Sequence, residues 1–591
     1  MKQTVRIGGA CGFWGETDVA VPQFLKEGDL DYIVFDYLAE VTLSIMARAR
    51  AKDPDMGYAP DFVHAVLKPN LAQIAAQGIK VVSNAGGLNP DACATAIRAL
   101  IAKAKLDLTV AVVIGDDLRD RVTGCAASGV TEMFSGEGFP DPDTVTSTNA
   151  YLGALPIAKA LRGGADIVIT GRCVDSAVTL GACMHAFGWA DDAHDLLSAA
   201  SLAGHILECG PQATGGNFTD WEDAGDFAEI GYPIVEIRQD GLFHVTKPAG
   251  TTGTVSVGTV SEQLLYEIGD PSSYVLPDVI CDFARVEIVQ DGPDRVLVSG
   301  ATGRPPTPDY KVSVTFADGW RGEAMFILVG LEAGKKARVF ADATLERANR
   351  RLRGLNAPGF DEVHVEVSGD SSVFGQANPD AQEVMLKIAV RHADPKAVSL
   401  IQREGVGLAL SAPPGLFMTP AMRPKPAPVV RLFSFLIPKA EVPVSVVTEQ
   451  GEEPVQIPVG EPADNTQAYL PPDPPDMDDP VEVPLIQLAW VRSGDKGDKA
   501  NLGVMPRRPD LAPYLWHGLT DARVADAFDP FLNGHVERFF LPGTGAMNIL
   551  MHKTLGGGGM ASLRNDSQGK AYGQMLLRLT IPVSRSIAET L

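Results

Sequence analysis

The chain has 591 residues, enough for two to four domains, and its 45% hydrophobic and 21% charged residues are typical of a globular protein. A formal net charge of −24 argues against a general nucleic-acid-binding protein, although local arginines can still hold an anionic ligand. No apolar run of roughly 18 residues is present, which argues against a membrane span.

Short apolar runs alternate with helical patterns in the first part of the chain. Strands are predicted at residues 5–7, 30–35, 79–82, 108–114 and 165–169. Helices are predicted at residues 41–51, 62–77, 89–105 and 149–161. This alternation predicts a parallel sheet with helices on both faces.

The predicted strands end in small or polar clusters, which read GGACGFWG, FDYLAE, SNAGG, IGDD and TGRCVDS. In open α/β sheets, ligands bind outside the carboxyl ends of the strands. Polar clusters after all of these strands therefore predict one shared ligand pocket.

The loop after the first strand contains Gly8, Gly9 and Gly12. Its spacing matches neither the dinucleotide fingerprint GxGxxG nor a phosphate loop that ends in GK[ST]. The loop can let a phosphate or carboxylate approach the backbone, or it can be a tight turn that needs positive φ.

Asp36 and Glu40 lie four residues apart where the second strand passes into a helix. At this spacing both carboxylates can face one point. They can serve as acid and base, or hold a cation, or simply place negative charge at a helix N-terminus.

The stretch from 165 to 189 combines a buried strand with a polar turn and a helix. The turn carries Arg172, and the helix opens near Asp175 and Ser176, with Asp175 at the N-cap or in the first turn. An arginine can clamp a substrate carboxylate with two hydrogen bonds, and the aspartate can move a proton.

A second polar cluster occupies residues 208–218 and begins with Glu208 and Cys209. Backbone amides near Gly215 and Gly216 can hold an oxyanion or enolate. Cys209 is a nucleophile if its pKa is depressed, but no adjacent histidine activates it, and a buried structural thiol is the alternative.

These clusters supply the candidate site. The candidate catalytic residues are Asp36, Glu40, Arg172, Asp175 and Glu208. The candidate substrate-binding residues are Gly8, Gly9, Gly12, Asn84, Gly86, Gly87, Asp116, Ser176, Cys209, Gly215, Gly216 and Asn217.

The second half of the chain has a different character. Strands with hairpin signals are predicted at 234–237, 243–246, 285–289, 295–298, 311–316, 324–329 and 363–367, and helices at 339–352 and 379–390. We divide the chain into a parallel α/β region (1–230), an α+β region of the same core domain (231–450), a linker (451–484) and a small domain (485–591).

The linker holds nine prolines and many acidic residues, so it should be extended and mobile, or wrapped over a surface.

In the small domain, strands are predicted at 485–491, 500–505, 536–541 and 574–581, and a helix at 521–528. Its polar loops are predicted at 493–499 and 555–559, where a glycine run can hold an anion or form a flexible hairpin. This order suits a ferredoxin-like α+β fold.

The seven cysteines lie in the first half, are odd in number and include no CxxC pair. Free thiols in a reducing compartment are therefore expected, rather than a disulfide framework or a zinc site. The start, MKQTVRIGGACGFWGET, lacks the apolar core of a signal peptide. We expect a cytoplasmic protein with no membrane or nucleic-acid partner.

The motifs GGACGFWGET, DYIVFDYLAEVTLSIMAR, ITGRCVDSAV, ECGPQATGGNFTDW, REGVGLAL, RSGDKGDKANLGV and TLGGGGMASLRNDSQGK resemble the acyclic terpene utilisation protein A (AtuA-like) family. The resemblance covers nearly the whole chain, including the small C-terminal domain. It implies a place in branched-chain or terpene catabolism, because members tend to be encoded beside biotin-dependent acyl-CoA carboxylases and other acyl-CoA enzymes.

The absence of several motifs from the sequence excludes the reaction classes that depend on them. The dinucleotide fingerprint and the phosphate loop are missing, the ten histidines are scattered with no HxH or HExxH, and no GxSxG occurs in the first half. Acid–base chemistry on a carbonyl or thioester remains. We therefore predict a cofactor-independent enzyme with no metal, which acts on a branched or carboxylated acyl-CoA as hydratase, lyase or thioester hydrolase.

The alternative is a non-catalytic binding or scaffold subunit associated with an acyl-CoA carboxylase. The convergent acids and guanidinium favour the enzyme, whereas the acidic linker and detachable small domain are compatible with the scaffold. In either case a homo-oligomer is expected.

Overall fold

The structure is a computed structural model that describes residues 2–372, 378–418, 424–463 and 468–591. The strands are β1 Thr4–Gly9, β2 Tyr32–Phe35, β3 Lys80–Ser83, β4 Val110–Ile114, β5 Val145–Ala150, β6 Ile167–Thr170, β7 Ile234–Arg238, β8 Phe243–Thr246, β9 Tyr274–Val275, β10 Ile280–Asp282, β11 Glu287–Gln290, β12 Val296–Ser299, β13 Thr302–Arg304, β14 Asp309–Val329, β15 Glu362–Ser368, β16 Glu383–His392, β17 Leu416–Phe417, β18 Ala427–Pro438, β19 Ser445–Thr448, β20 Gly451–Pro454, β21 Val481–Pro484, β22 Ala489–Lys496, β23 Lys499–Pro506, β24 Val536–Leu541, β25 Ala546–Met551 and β26 Thr580–Val583.

The helices are α1 Ala20–Glu27, α2 Glu40–Lys52, α3 Lys68–Gln77, α4 Pro90–Ala104, α5 Val122–Ala127, α6 Leu155–Arg162, α7 Ala177–Phe187, α8 His194–Leu207, α9 Val257–Leu264, α10 Ala333–Gly354, α11 Pro395–Val398, α12 Leu400–Gly407, α13 Leu485–Leu488, α14 Ala512–Gly518, α15 Asp521–Ala527, α16 Tyr572–Leu576 and α17 Arg585–Ala588. A π-helical segment, Phe62–Leu67, precedes α3.

The largest sheet has the strand order β11-β12-β8-β7-β1-β2-β3-β6-β4-β19-β20. Its central strands β1, β2, β3, β6 and β4 are parallel, which confirms the predicted parallel sheet. Antiparallel strands extend it on both sides, through β7 next to β1 and β19 next to β4. Because the parallel strands end at one edge, the loops that follow them lie side by side.

Apolar residues cover both faces of this sheet. In β2, Ile33 and Phe35 join one core, whereas Tyr32 and Val34 join the other. Helices α1, α3 and α4 contribute to the first core, and α6, α7 and α8 to the second. Strands buried on both faces read as continuous apolar runs, which is why the sequence locates them well.

A second sheet is built around β14, a strand of 21 residues that pairs with β16, β18 and β5. The two strands predicted at 311–316 and 324–329 are therefore parts of one strand. A shift of register between Ala317 and Trp320 marks a bulge in it, which lies in the gap between the two predicted strands.

Two helix predictions in this region are wrong. Residues predicted as helix 379–390 form β16, which lies between β14 and β15, and its run of buried residues hides the two-residue alternation of a strand. The helix predicted at 149–161 begins at Leu155, because Val145–Ala150 is strand β5. Its polar residues pair with β14, as Ser147 Oγ does at 2.6 Å from Thr315 Oγ1, so β5 lacks an apolar signature.

The stretch predicted as a linker at 451–484 is partly ordered secondary structure. Its first residues form β20 at the edge of the main sheet, and its last residues form β21, which pairs with β26. Between them, the Tyr469 hydroxyl donates to Asp282 at 2.6 Å, a contact that fits a segment wrapped over the surface. Residues 464–467 of this stretch lie outside the described residues.

The C-terminal domain has a four-stranded antiparallel sheet in the order β22-β23-β25-β24, with α14, α15 and α16 in its core. The predicted α+β class is confirmed. The strand predicted at 485–491 begins only at Ala489, after the short helix α13, and the strand predicted at 574–581 is α16 followed by β26. The predicted loop 493–499 is mostly strand, since β22 and β23 form a hairpin through it.

Polar side chains hold the C-terminal domain against the core domain. The Arg507 guanidinium donates to both carboxylate oxygens of Asp220 at 2.6 Å. The buried Asn548 amide donates to the carbonyls of Ile268 at 2.9 Å and Gly269 at 2.6 Å. Buried polar groups that lose such partners are costly, so the interface favours a docked domain.

None of the helices in the described ranges combines the length and the apolar character that crossing a bilayer requires.

Candidate active site

The inner end of the site lies after β2 and β3. Asp36 follows β2 and is 7% exposed, and Asn84 follows the neighbouring β3 and is fully buried. The Asn84 amide donates to Asp36 Oδ1, and its carbonyl oxygen accepts from the Tyr37 backbone at 2.7 Å. Adjacent parallel strands thus fix the Asp36 carboxyl group at the carboxyl edge of the sheet.

Arg172 follows β6 and is 3% exposed. Asp116, after the neighbouring β4, accepts from the Arg172 backbone N–H at 2.8 Å and so fixes the turn. The guanidinium donates to Asp175 Oδ1 at 2.7 Å and stacks 4.1 Å from the Tyr151 ring centroid. Its Nε atom has no hydrogen-bond partner among the described residues, which leaves one buried donor unused.

Glu40, the first residue of α2, lies on another side of the same arginine. The Tyr151 hydroxyl donates to Glu40, and the Lys311 ammonium of β14 lies 4.9 Å from the Tyr151 ring centroid. Burial alone would raise the pKa of Glu40, but Lys311, Arg172 and the Tyr151 hydrogen bond lower it to about 2. Glu40 is therefore an ionised partner of two cations at neutral pH.

Glu208 stands at the C-terminal end of α8 and is held by the buried His205 of the same helix. His205 Nδ1 lies 2.8 Å from Glu208 Oε1. Burial opposes the charging of His205, but the Glu208 carboxylate outweighs it, so the His205 pKa is raised. Burial also raises the pKa of Glu208, and Asp175 adds to that rise while His205 opposes it.

The C-terminal domain contributes Lys496, the last residue of β22. Its ammonium lies 3.0 Å from Glu267 Oε2, and its charge also acts on Glu208 and on the Tyr274 hydroxyl. Burial lowers the pKa of Lys496, but the charges of Glu267, Tyr274 and Asp175, all residues of the core domain, outweigh it and raise that pKa. The site is therefore shared between the core domain and the C-terminal domain.

We call Asp36, Arg172, Asp175, Glu208 and Lys496 the acid–base cluster. Exposure rises through its members: Glu208 has 11% of its side chain exposed, Asp175 29% and Lys496 51%. Asp36 and Arg172 thus form the buried floor, and the cluster opens to solvent at Asp175 and Lys496.

The carboxyl groups of the cluster and of its neighbour Glu40 are in opposite electrostatic environments. Burial raises the pKa of Asp36 well above its usual value, and Asp175 and Glu208 raise it further, against the opposing charge of Arg172. Glu40 instead has a lowered pKa. Groups whose pKa values are pushed apart in one site can divide the roles of acid and base.

Several glycines among the predicted substrate-binding residues lie where elements pack closely. A Cβ atom at Gly8 would lie 2.8 Å from the Phe24 ring, and one at Gly9 would lie 2.8 Å from the Leu207 carbonyl oxygen. An added Cβ atom would likewise crowd Cys209 at Gly12, Thr170 at Gly86 and Met46 at Gly87. These glycines let elements approach one another closely, and substrate binding at them stays a prediction.

The backbone amides of the predicted oxyanion site at Gly215 and Gly216 are hydrogen-bonded within their own segment. Both backbone N–H groups already donate to the Pro211 carbonyl. The next residue, Asn217, has φ +55° and uses its carbonyl to accept from Arg492 at 2.6 Å. This segment therefore faces the C-terminal domain with acceptors rather than donors.

Other predicted residues lie beside the cluster. Ser176, rather than Asp175, is the N-cap of α7, and Gly204 of α8 packs against it. Asp116 supports Arg172, and burial raises its pKa to about 6. Asn84 supports Asp36, so both residues position catalytic candidates without lining the open side of the cluster.

Cys209 should be unreactive as a nucleophile. Burial raises the pKa of its thiol well above the usual value, and the carboxylates of Glu208 and Glu267 raise it further. Since the thiolate is the nucleophile, Cys209→Ala should retain activity, and Cys209 should react slowly with iodoacetamide at pH 8 in the folded protein. Rapid labelling at Cys209, identified by mass spectrometry, together with loss of activity in the alanine variant would contradict this.

The seven cysteines, all among the described residues, are free.

Sequence reasoning missed Tyr151, Lys311, His205 and Lys496. Tyr151 and Lys311 come from the second sheet, and Tyr151, which directly follows β5, falls inside the helix predicted at 149–161. His205 is three residues from Glu208, so the helical spacing of the pair was a usable signal. Lys496 belongs to the quoted motif RSGDKGDKANLGV, but its contact with the core domain is visible only in three dimensions.

A family model described as "Acyclic terpene utilisation family protein AtuA" matches residues 5–448, and one described as "AtuA ferredoxin-like domain" matches residues 483–582. No curated protein and no solved structure matches the chain. The two matched ranges agree with the order of motifs in the sequence.

Proposed function

The chain belongs to the acyclic terpene utilisation family AtuA, and we propose that it is an acid–base enzyme of acyl-CoA catabolism. In this proposal the protein acts as a hydratase, a lyase or a thioester hydrolase on a branched or carboxylated acyl-CoA. The family is connected with the breakdown of acyclic terpenes, and the reaction itself is inferred from the site.

One observation carries this proposal: a carboxyl group with a strongly raised pKa, Asp36, lies in one cluster with Asp175, Glu208 and two cations. A protonated carboxyl can donate a proton, and an ionised neighbour can accept one. Arg172 and Lys496 can stabilise the negative charge that develops on a carbonyl or thioester oxygen.

Within this proposal, Asp175 is the base, because Arg172 holds it at the open side of the cluster. Asp36 is the acid on the floor, and the free Nε of Arg172 is a donor for the substrate. His205 is a positioning residue that orients Glu208.

Exposed apolar side chains near the same edge support an acyl substrate. Phe13 lies in the loop after β1 and is 58% exposed, and Val41 and Ile45 of α2 are each 41% exposed. Because β1 and β2 are paired in parallel, the loop after β1 and the start of α2 are neighbours. Apolar groups beside a charged floor suit a branched hydrocarbon chain that carries a polar head.

A second candidate function is that of a binding subunit for an acyl-CoA carboxylase. The specific observation in its favour is apolar surface where β14 and β17 pair: Leu331 is 83% exposed and Phe417 45% exposed. Such residues are typical of contact surfaces between chains, including those of a homo-oligomer.

The test is a screen of the purified full-length protein against CoA thioesters of branched and carboxylated acids. Release of free CoA is followed with a thiol reagent, and addition or loss of water is followed by mass spectrometry. We expect turnover of one structural class. No turnover of any thioester, together with stable binding to a carboxylase subunit, would reject the enzyme and favour the binding subunit.

A further inference from the structure

Two histidines and a glutamate converge at one end of the ferredoxin-like sheet. The His552 backbone N–H donates to the His535 carbonyl at 3.0 Å, next to the cross-strand pair of Val536 and Met551. Opposed residues share one face of a sheet, and so do residues two apart on a strand. His535, Glu537 and His552 therefore project from the same face.

The donor atoms of the three side chains are already close. His552 Nε2 lies 2.6 Å from one carboxylate oxygen of Glu537, and His535 Nε2 lies 4.0 Å from the other. The imidazole rings are nearly parallel, at 13°, with centroids 4.1 Å apart. One donor atom from each residue can be chosen so that all lie within 4.8 Å of one another.

These distances suit a single ion. Bonds of about 2.0–2.2 Å from zinc to nitrogen or oxygen place tetrahedral donors roughly 3.3 Å apart. Small rotations of the exposed His535 and Glu537 side chains would bring the donors to that separation. Two imidazoles with one carboxylate favour a borderline transition metal over magnesium or calcium, which prefer oxygen donors alone.

We propose that His535, Glu537 and His552 bind a divalent transition-metal ion of the zinc, cobalt or nickel class. The scattered positions of the histidines in the sequence concealed this group, because His535 and His552 meet only through the pairing of β24 with β25. Across the described ranges, it is the one group of three or more His, Cys, Asp or Glu residues whose donor atoms converge in this way.

The ion would lie outside the acid–base cluster. The strand registers place Lys496 opposite Lys499, and the β23–β25 and β25–β24 pairings continue that row to His552 and His535. With strands spaced about 4.8 Å apart, His535 stands roughly 14 Å from Lys496. The metal would therefore cross-link the ends of β24 and β25 and stabilise the domain, and a tetrahedral ion would keep one position open to solvent.

The test is calorimetric titration of the full-length protein, stripped with chelator, with zinc chloride and cobalt chloride. We expect one site that binds zinc, raises the thermal midpoint of the protein and gives cobalt a visible absorption band. Loss of a residue that merely orients a metal ligand typically weakens metal binding by about 10- to 100-fold, so His535→Gln and His552→Gln, which each remove a ligand, should weaken it by at least that much.

His244→Gln is the matched control. His244 Nε2 lies 2.8 Å from an Asp291 carboxylate oxygen, so this histidine also contacts a carboxylate but has no second histidine beside it. This variant should bind zinc like the wild type. If His552→Gln fails to fold, His535→Gln still decides, since the His535 side chain is 66% exposed. Zinc binding that neither variant weakens, or no zinc binding to the wild type, would overturn the proposal.

Discussion

Asp36→Asn is expected to lower turnover by roughly 10²- to 10⁴-fold, the contribution of a general acid, while the protein stays folded. Asparagine keeps the shape of the side chain and can still accept from Asn84, but it carries no transferable proton. The measurement is kcat on the best thioester from the screen, with circular dichroism to show that the fold is retained.

The pH profile separates an acid from a residue that merely positions others. Because burial raises the pKa of Asp36, its carboxyl is protonated over a wider range than an ordinary aspartate. Activity of the wild type should fall as pH rises through this raised pKa, and the residual activity of Asp36→Asn should lack that fall.

The stability of the folded protein should depend on pH through the same carboxyl group. A raised folded pKa contributes stability that is complete below the unfolded pKa, about 4, and is lost as pH rises through the folded pKa. Asp36→Asn should therefore match the wild type in acid and exceed its stability at alkaline pH. The equilibrium unfolding free energy, measured against pH, checks this expectation.

The matched control for this variant is Asp240→Asn, since Asp240 is an exposed aspartate paired with Arg238 at a surface turn. It should leave turnover and its pH profile unchanged. Full activity of Asp36→Asn, with loss of activity in Asp175→Asn and Glu208→Gln, would assign the acid to another carboxyl group.

Lys496→Met is expected to lower kcat/KM by roughly 10²-fold, because truncating one partner in a desolvated set of charges costs about 2–5 kcal/mol. Because the Lys496 side chain is half exposed, solvent screens its charge, and we expect the free-energy cost to lie at the lower end of that range. Lys496 is the member of the acid–base cluster that the C-terminal domain supplies, so the loss would show that both domains build the site.

Lys499→Met is the matched control, because Lys499 pairs with Lys496 across the hairpin. The Lys499 ammonium lies 4.8 Å from the Phe134 ring centroid, at a place outside the cluster. This variant should keep the wild-type kcat/KM, and Lys496→Arg should recover part of the loss. Equal activity of Lys496→Met and Lys499→Met would show that Lys496 does not contact the substrate.

The sequence by itself determined the parallel sheet, its polar edge and the family. Asp36 and Arg172 were found because each lies within two residues of the end of a buried strand, and the carboxyl ends of parallel strands meet at one edge. These are local signals, in which the apolar run and the polar residue after it lie within a few positions of each other.

Only the tertiary structure decided which of these residues line the site. The glycines predicted to bind substrate turned out to face Phe24, Leu207 and other packed groups, since a glycine needed for close packing and one needed for a ligand look alike in sequence. The amides at Gly215 and Gly216 were likewise already used by Pro211.

The remaining site residues depend on contacts between distant parts of the chain. Tyr151 reaches Glu40 and Arg172 because β5 pairs with β14, more than 150 positions later, and Lys496 reaches the cluster because a separate domain docks on the core. Side-chain periodicity reports which face of an element is buried, but it carries no information about the partner that covers that face. For that reason, Asp36, Arg172 and Asp175 were predictable from the sequence, whereas Lys496, which the C-terminal domain supplies at the open side, was not.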